Sequence, residues 1–260
     1  MKVGSIDVVA LNDGTAILPK EFWVGFDYER HPDVLAADGK LHLPIGCYLV
    51  RTGDTTVLLD AGMGPHENQW GHGGALPEQL RAVGVSPDDI DLVVCTHLHV
   101  DHAGWLVHDG APFFSRATVR YGAGDWKHFV TDADPDDHIA EGMRLLGNAG
   151  RLDPIEGDMV ALAPGLTARY TPGHTDGHYS LVVSSGDERL FLLGDAVECP
   201  LQVTEDEFHA FSDVDPAQAK RTREAMWREL EGTDAQVGAA HFPGLQVGRI
   251  LTGTGKRWFS

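Results

Sequence analysis

The chain is poor in cysteine, in positive charge and in long apolar runs. Of its 260 residues only Cys47, Cys95 and Cys199 are cysteine. They are odd in number and far apart, and none forms a CxxC pair. That excludes a disulfide framework and suits reduced, mostly buried thiols. No apolar run approaches the ~20 residues a membrane span requires, so no membrane is expected as a partner. Only 20 Lys and Arg stand against 39 Asp and Glu, a formal charge of −19. Such a chain repels a phosphate backbone, which excludes nucleic acid. The acids are spread along the sequence rather than gathered in a tail. There is no Gly-x-Ser-x-Gly elbow to carry a serine nucleophile, no internal repeat, no low-complexity block and no linker. The start, Met1-Lys2-Val3-Gly4-Ser5-Ile6-Asp7, lacks the apolar stretch of a signal peptide. One cytoplasmic domain over residues 1–260 is the expectation.

What is present is a pattern of strands and helices that occurs twice. Val3–Leu11 and Thr15–Leu18 read as a hairpin through Asn12-Asp13-Gly14. Residues 19–44 read as irregular. Cys47–Arg51 and Thr56–Asp60 are strands joined by a Gly53-Asp54 turn. Pro77–Val83, Trp126–Val130 and Pro135–Leu146 read as helices. Leu92–Cys95 is a buried-type strand; Val119–Tyr121, Leu166–Tyr170, Tyr179–Ser184, Arg189–Leu193 and Gln236–Ala240 are further strands. Pro216–Leu230 reads as a helix, with Asp215 as cap and Gly232 past its end. Ala219, Arg223, Met226 and Leu230 share one of its faces. Two β-rich halves with helices outside predict an α/β (α+β) fold, a four-layer αββα sandwich.

Residues 97–102 read His97-Leu98-His99-Val100-Asp101-His102, four metal-ligand side chains in six positions. His174, Asp195 and His241 lie downstream. An HxH pair alone is as often a surface feature. Here each ligand motif follows a strand, at 92–95, 166–170, 189–193 and 236–240, where a loop frees side chains while the sheet holds them rigid. His31, His42, His66, His72, His108, His128, His138 and His209 lack that context and are expected to be solvated. His178, four residues after His174, is expected to order the loop. Five imidazoles and two carboxylates exceed what one tetrahedral zinc accepts and can hold two Zn²⁺ ions, other divalent transition metals being alternatives.

On these motifs the chain resembles the metallo-β-lactamase-fold hydrolase superfamily, over about residues 45–245. The resemblance implies that His97, His99 and His174 hold a first zinc, that Asp101, His102 and His241 hold a second, and that Asp195 bridges them. It implies a supporting place behind the ligands for Asp60, whose other reading is a carboxylate that caps its own loop. Thr171-Pro172-Gly173-His174-Thr175-Asp176-Gly177-His178 and Thr96–Gly104 resemble the lactonase and organophosphate-hydrolase branch. One position departs. Many acyl-homoserine lactonases carry a Tyr three residues after the bridging Asp; here Glu198 stands there. Glu198 is a catalytic proton donor, a selectivity residue or a solvated acid.

The function expected is a dinuclear zinc hydrolase. A hydroxide shared by the ions, with Asp101 beside it, opens a small ester or lactone such as an acyl-homoserine lactone. The alternatives are a phosphotriesterase or a glyoxalase-II-like thioesterase and, in another class, a metal-binding sensor or scaffold. A small-molecule substrate is the expected partner, and a homodimer is admitted. Phe22, Trp23, Phe26, Tyr28, Trp70 and Trp105 are candidates for an apolar substrate wall, Trp105 foremost, with residues 19–44 as a lid.

Overall fold

The longest strand is Ile6–Leu18, in a computed structural model that describes residues 1–205, 207–252 and 257–260. It runs antiparallel to Leu41–Thr52 over its whole length. The hairpin expected at Asn12-Asp13-Gly14 is not formed; the strand continues through it, with a bulge between Asn12 and Gly14. Asp13 is fully buried. Its carboxylate accepts backbone N–H groups of Met63 (2.8 Å), Gly74 (3.2 Å) and Leu76 (2.7 Å), and the indole N–H of Trp105 (2.9 Å). These charge-assisted bonds outweigh a local turn preference that only an exposed Asp13 could satisfy. Gly14 is required by close approach, since a Cβ there would lie 1.9 Å from the His72 carbonyl oxygen.

The first sheet is mixed. Its strands run in the order Leu152–Ile155, Thr118–Gly122, Leu92–Val94, Thr55–Leu59, Leu41–Thr52 and Ile6–Leu18, and the short pair Gly71–His72 and Glu67–Asn68 extends it. Lys2–Val3 pairs beside Ile6–Leu18. The second sheet is an antiparallel run of Met159–Ala163, Leu166–Tyr170, Tyr179–Ser185 and Glu188–Leu192, closed by Gln236–Gly238 parallel to the last.

Three separate cores define the layers. Val8, Val50, Val57 and Leu59 of the first sheet meet Ala168, Leu181, Val183 and Leu190 of the second. Outside the first sheet, Leu49, Leu58 and Val93 pack with Leu76 and Leu80 of the helix Leu76–Ala82 and with Ile139 and Met143 of the helix His138–Asn148. Outside the second, Val182 and Phe191 pack with Met226, Trp227 and Leu230 of the helix Pro216–Leu230. The result is the αββα sandwich. Each fully buried Leu, Ile or Val adds about 1.5–3 kcal/mol by leaving water, so both sheet faces are committed.

Several boundaries move. Leu41–Pro44 are strand rather than part of an irregular 19–44 segment, because they continue the pairing with Thr15–Leu18. The helix expected from Pro135 starts at His138, where Asp137 accepts the Ala140 N–H. The turn at Lys127–Thr131 is a π-helix. Gln236–Ala240 is strand only to Gly238. The helix Pro216–Leu230 stands as read, with the Asp215 side chain accepting the Gln218 N–H. Cys47, Cys95 and Cys199 are free and buried. Burial pushes their thiols up, that of Cys199 to about 12. Among the described residues no helix is long and apolar enough to cross a membrane.

Asp13→Ala strands several buried donors at once. Each costs about 1–3 kcal/mol, so a loss on the order of 3–5 kcal/mol is expected. Urea unfolding would show it as a lower midpoint; a shift worth less than about 1 kcal/mol would contradict the role given to the bulge.

Candidate metal centre

All the motifs lie at the same ends of parallel-running strands. Leu92–Val94 leads to His97, His99, Asp101 and His102, Leu166–Tyr170 to His174, Glu188–Leu192 to Asp195, and Gln236–Gly238 to His241. The structure brings the seven side chains together. His99 Nδ1 lies 2.9 Å from His97 Nε2 and 3.0 Å from His174 Nε2. Asp195 Oδ2 is 3.6 Å from His174 Nε2, 3.9 Å from His97 Nε2 and 3.2 Å from His241 Nε2, and Oδ1 is 3.3 Å from His102 Nε2. Asp101 Oδ2 is 3.6 Å from His102 Nε2 and 3.5 Å from His241 Nε2. Two ligand triads, His97–His99–His174 and Asp101–His102–His241, therefore flank Asp195.

The outward nitrogens fix the tautomers. His241 Nδ1 lies 2.7 Å from the Pro44 carbonyl oxygen, which can only accept, so Nδ1 carries the proton. His174 Nδ1 donates to Asp213 (2.8 Å) and His102 Nδ1 to Asp60 (3.0 Å). Thr96 gives its hydroxyl proton to Asp60 (3.0 Å), so His97 Nδ1 donates to Thr96 Oγ1 at 3.1 Å. In each ring the neutral form leaves Nε2 with a lone pair aimed inward, the state a metal requires. His102 Nε2 and Asp195 Oδ1 are buried and have no hydrogen-bond partner among the described residues. A cation satisfies both, and the cluster fits a metal site.

The electrostatics point the same way. Burial, then the neighbouring imidazoles, hold His97 well below its ordinary value; burial and His174 bring His99 down to about 3. Burial opposes charge on His102 and His241 too, but Asp195 and Asp101 outweigh it and raise His102 well above its ordinary value and His241 to about 9. Burial also opposes the Asp195 carboxylate, yet His102 and His241 hold its carboxyl well below the usual range. Positive charge is what this nest of acceptors demands.

A buried framework aims the ligands. His178 is not among them: its Nε2 accepts the Asp195 backbone N–H (3.0 Å) and its Nδ1 donates to Thr171 Oγ1 (2.8 Å), so both nitrogens are used. Gly194 before Asp195 has φ +55°, and a Cβ there would lie 2.7 Å from His178 Nε2. Asp60 takes the supporting place behind the ligands: besides His102 it accepts the Thr96 N–H (2.7 Å), and these side-chain hydrogen bonds tie it to the 96–102 loop rather than to its own, where it sits at φ +60°. Asp125 accepts Leu98 N–H (3.2 Å) and Gly177 N–H (2.7 Å), tying the loops of His97 and His174 together. Asp125 and Asp213 carry no motif, and the sequence reading missed them. The remaining histidines are all at least partly exposed.

The centre opens into a cavity of about 270 Å³. Leu18, Leu43, Ile45 and Met63 form its apolar wall, with Phe22, Trp70 and Phe211 towards the mouth; Trp70 and Phe211 are exposed. Trp105 is not part of it. Its ring packs in the core outside the first sheet, where its indole N–H serves Asp13. Phe26 and Tyr28 pack behind the wall. Of residues 19–44, Phe22 and Leu43 reach the cavity. Glu198 is not a solvated acid: it lines the cavity, is 2% exposed and accepts the Trp23 indole N–H at 2.7 Å. Burial, then Asp195, raise its carboxyl to about 7.

Residues 43–233 match the family model of the metallo-beta-lactamase superfamily. An N-acyl homoserine lactonase of Bacillus cereus is 29% identical over 214 residues, covering 73% of this chain and 79% of that protein. The N-acyl homoserine lactonase AiiB of Agrobacterium fabrum is 30% identical over 177 residues, 59% of this chain and 62% of that one. Among solved structures, AidC, described as a dizinc quorum-quenching lactonase in complex with a product, superposes with a TM-score of 0.88 at 21% identity, over 100% of this chain and 95% of its own. AbOPH, a hydrolase in the beta lactamase superfamily, gives 0.84 at 22% identity over the same shares. At these identities the two structures establish the fold alone.

Asp60→Ala removes the acceptor that fixes the His102 tautomer. Metal affinity is expected to fall about 10–100-fold, read by competition with a chromophoric chelator on protein whose fold is verified by circular dichroism. Unchanged affinity would show that Asp60 only shapes its loop.

Proposed function

The chain belongs to the metallo-beta-lactamase superfamily, and on that premise we propose that it is a dinuclear zinc hydrolase that opens a small, neutral, hydrophobic lactone or ester. The observation that carries this reading is the pair of ligand triads flanking one buried carboxylate at the end of an apolar cavity. His97, His99 and His174 would hold one ion, Asp101, His102 and His241 the other, and Asp195 would serve both. Bound there, the ions would lower the pKa of a water and polarise the substrate carbonyl.

The chain's own residues do the rest. Asp60, Asp213, Thr96 and the Pro44 carbonyl hold the proton of four imidazoles on Nδ1 and keep Nε2 aimed inward, so the ligand atoms are pre-positioned. Asp101 is partly exposed and, with His99, reaches the cavity, which places a carboxylate beside the reacting carbonyl. Leu18, Leu43, Ile45 and Met63 exclude water and receive an acyl chain. No lysine or arginine lines the cavity among the described residues, so no basic side chain there selects an anionic substrate. The relatives described as N-acyl homoserine lactonases make that neutral lactone class the favoured substrate. We assign the protein to the cytoplasm, where its buried thiols stay reduced.

Two measurements test the reading. Protein purified without chelator and loaded with zinc should hold about two ions per chain; a value that never exceeds one contradicts the dinuclear centre. A panel of acyl-homoserine lactones, phosphotriesters and thioesters should show preference for the lactones. Asp101→Ala should then lower kcat by orders of magnitude with the fold intact; near-native turnover in that variant would remove Asp101 from the chemistry.

A further inference from the structure

Four carboxylates are buried around the centre without belonging to either triad or to Asp195, and one of them, Glu198, lines the cavity. Asp60 accepts from Thr96 and His102, Asp125 from Leu98 and Gly177, and Asp213 from His174. These three face away from the cavity. Glu198 lines it, and its carboxylate accepts one hydrogen bond among the described residues, from Trp23 to Oε2. Glu198 is also fixed in place. Its backbone N–H donates to Gln202 Oε1 at 2.8 Å. Trp23 is itself locked, with ring centroids 5.2 Å from Phe26 and 5.5 Å from Phe208. The fold therefore orders a buried carboxylate at the cavity wall whose side-chain hydrogen bond from Trp23 engages Oε2, and a carboxylate keeps further acceptor capacity beyond that bond. A buried acid left like this is costly unless a cation or a proton meets it. Its neighbours supply the direction: His174, Asp195 and Glu198 each offer a ligand atom, all within 4.8 Å of one another.

We propose that Glu198 is a protein ligand of the first metal ion, beside His97, His99, His174 and Asp195. The assignment rests on the metal-centre reading above but goes beyond it, because that reading completes the centre without Glu198. Three imidazoles and two carboxylates exceed a tetrahedral set. With a solvent molecule they make six donors, so the first position suits an ion that takes five or six ligands, such as cobalt, manganese or iron, or zinc in expanded coordination. The second position, with Asp101, His102, His241 and the shared Asp195, has a four-donor protein set. The two positions then differ in metal preference.

Glu198→Gln is the test, since it keeps the size and an acceptor for Trp23 while removing the anionic donor. Metal binding is followed by competitive titration with zinc and with cobalt, and cobalt coordination by visible absorption. The expected result is a loss of about tenfold or more in affinity for one of two ions, with the other unchanged. The cobalt bands should also intensify as one ion drops to fewer ligands. Equal affinities and an unchanged cobalt spectrum would overturn the assignment. If those stay fixed while KM or kcat for a lactone changes, Glu198 touches substrate and not metal. Should the wild type hold a single ion, the dinuclear reading falls, and the comparison still decides: weaker binding of that ion in Glu198→Gln upholds the assignment, and equal binding rejects it. If Glu198→Gln does not fold, Glu198→Asp keeps the charge but withdraws it by one methylene. Weakened binding of one ion is expected there as well, and wild-type affinity overturns the proposal.

Discussion

Each imidazole has two nitrogens, and the one that faces outward decides what the inward one can do. At this centre the outward nitrogens meet Thr96, Asp60, Asp213 and the Pro44 carbonyl. Every one of these contacts fixes a proton on Nδ1, which leaves Nε2 as a donor atom for a cation. Without such acceptors the rings could rotate or exchange tautomers, and the lone pairs would not converge. Asp195 depends on the same logic one step removed, because His178 accepts its backbone N–H and holds the turn that presents it.

The sandwich exists around that requirement. Parallel-running strand ends deliver the ligand loops to one edge, and the core between the sheets keeps those ends still. Where the loops would be free to move they are tied by buried carboxylates: Asp125 joins two of them, and Asp13 joins the bulged strand to the 62–76 loop and Trp105. The positive φ of Asp60 is part of the same arrangement. A strained backbone persists only where its surroundings over-determine it, and here Thr96 and His102 do so. Stability and site geometry thus draw on the same acids.

What could be read from the sequence was local. Four candidate ligands packed into 97–102, and the placement of His174, Asp195 and His241 after strands, sufficed to gather seven side chains that the fold brings together. The helix Pro216–Leu230 carried its own cap and stop and was read to the residue. The rest was long-range. Asn12-Asp13-Gly14 looks like a hairpin turn, and nothing nearby in the chain announces the four donors that convert it to a bulge. Asp125 and Asp213 are indistinguishable in sequence from the other acids among 39. Trp105 stood close to the histidines in sequence, yet its ring turns into the core. Glu198 departs from the family pattern, but nothing near it in the chain announces its partner Trp23, 175 positions away.

The most direct test of a two-ion centre is an anomalous difference map collected at the zinc absorption edge from crystals of the zinc-loaded protein. Two peaks are expected, roughly 3.5–4 Å apart, one against His97, His99 and His174, the other against Asp101, His102 and His241, with Asp195 between them. A single peak, or peaks away from these side chains, would contradict it.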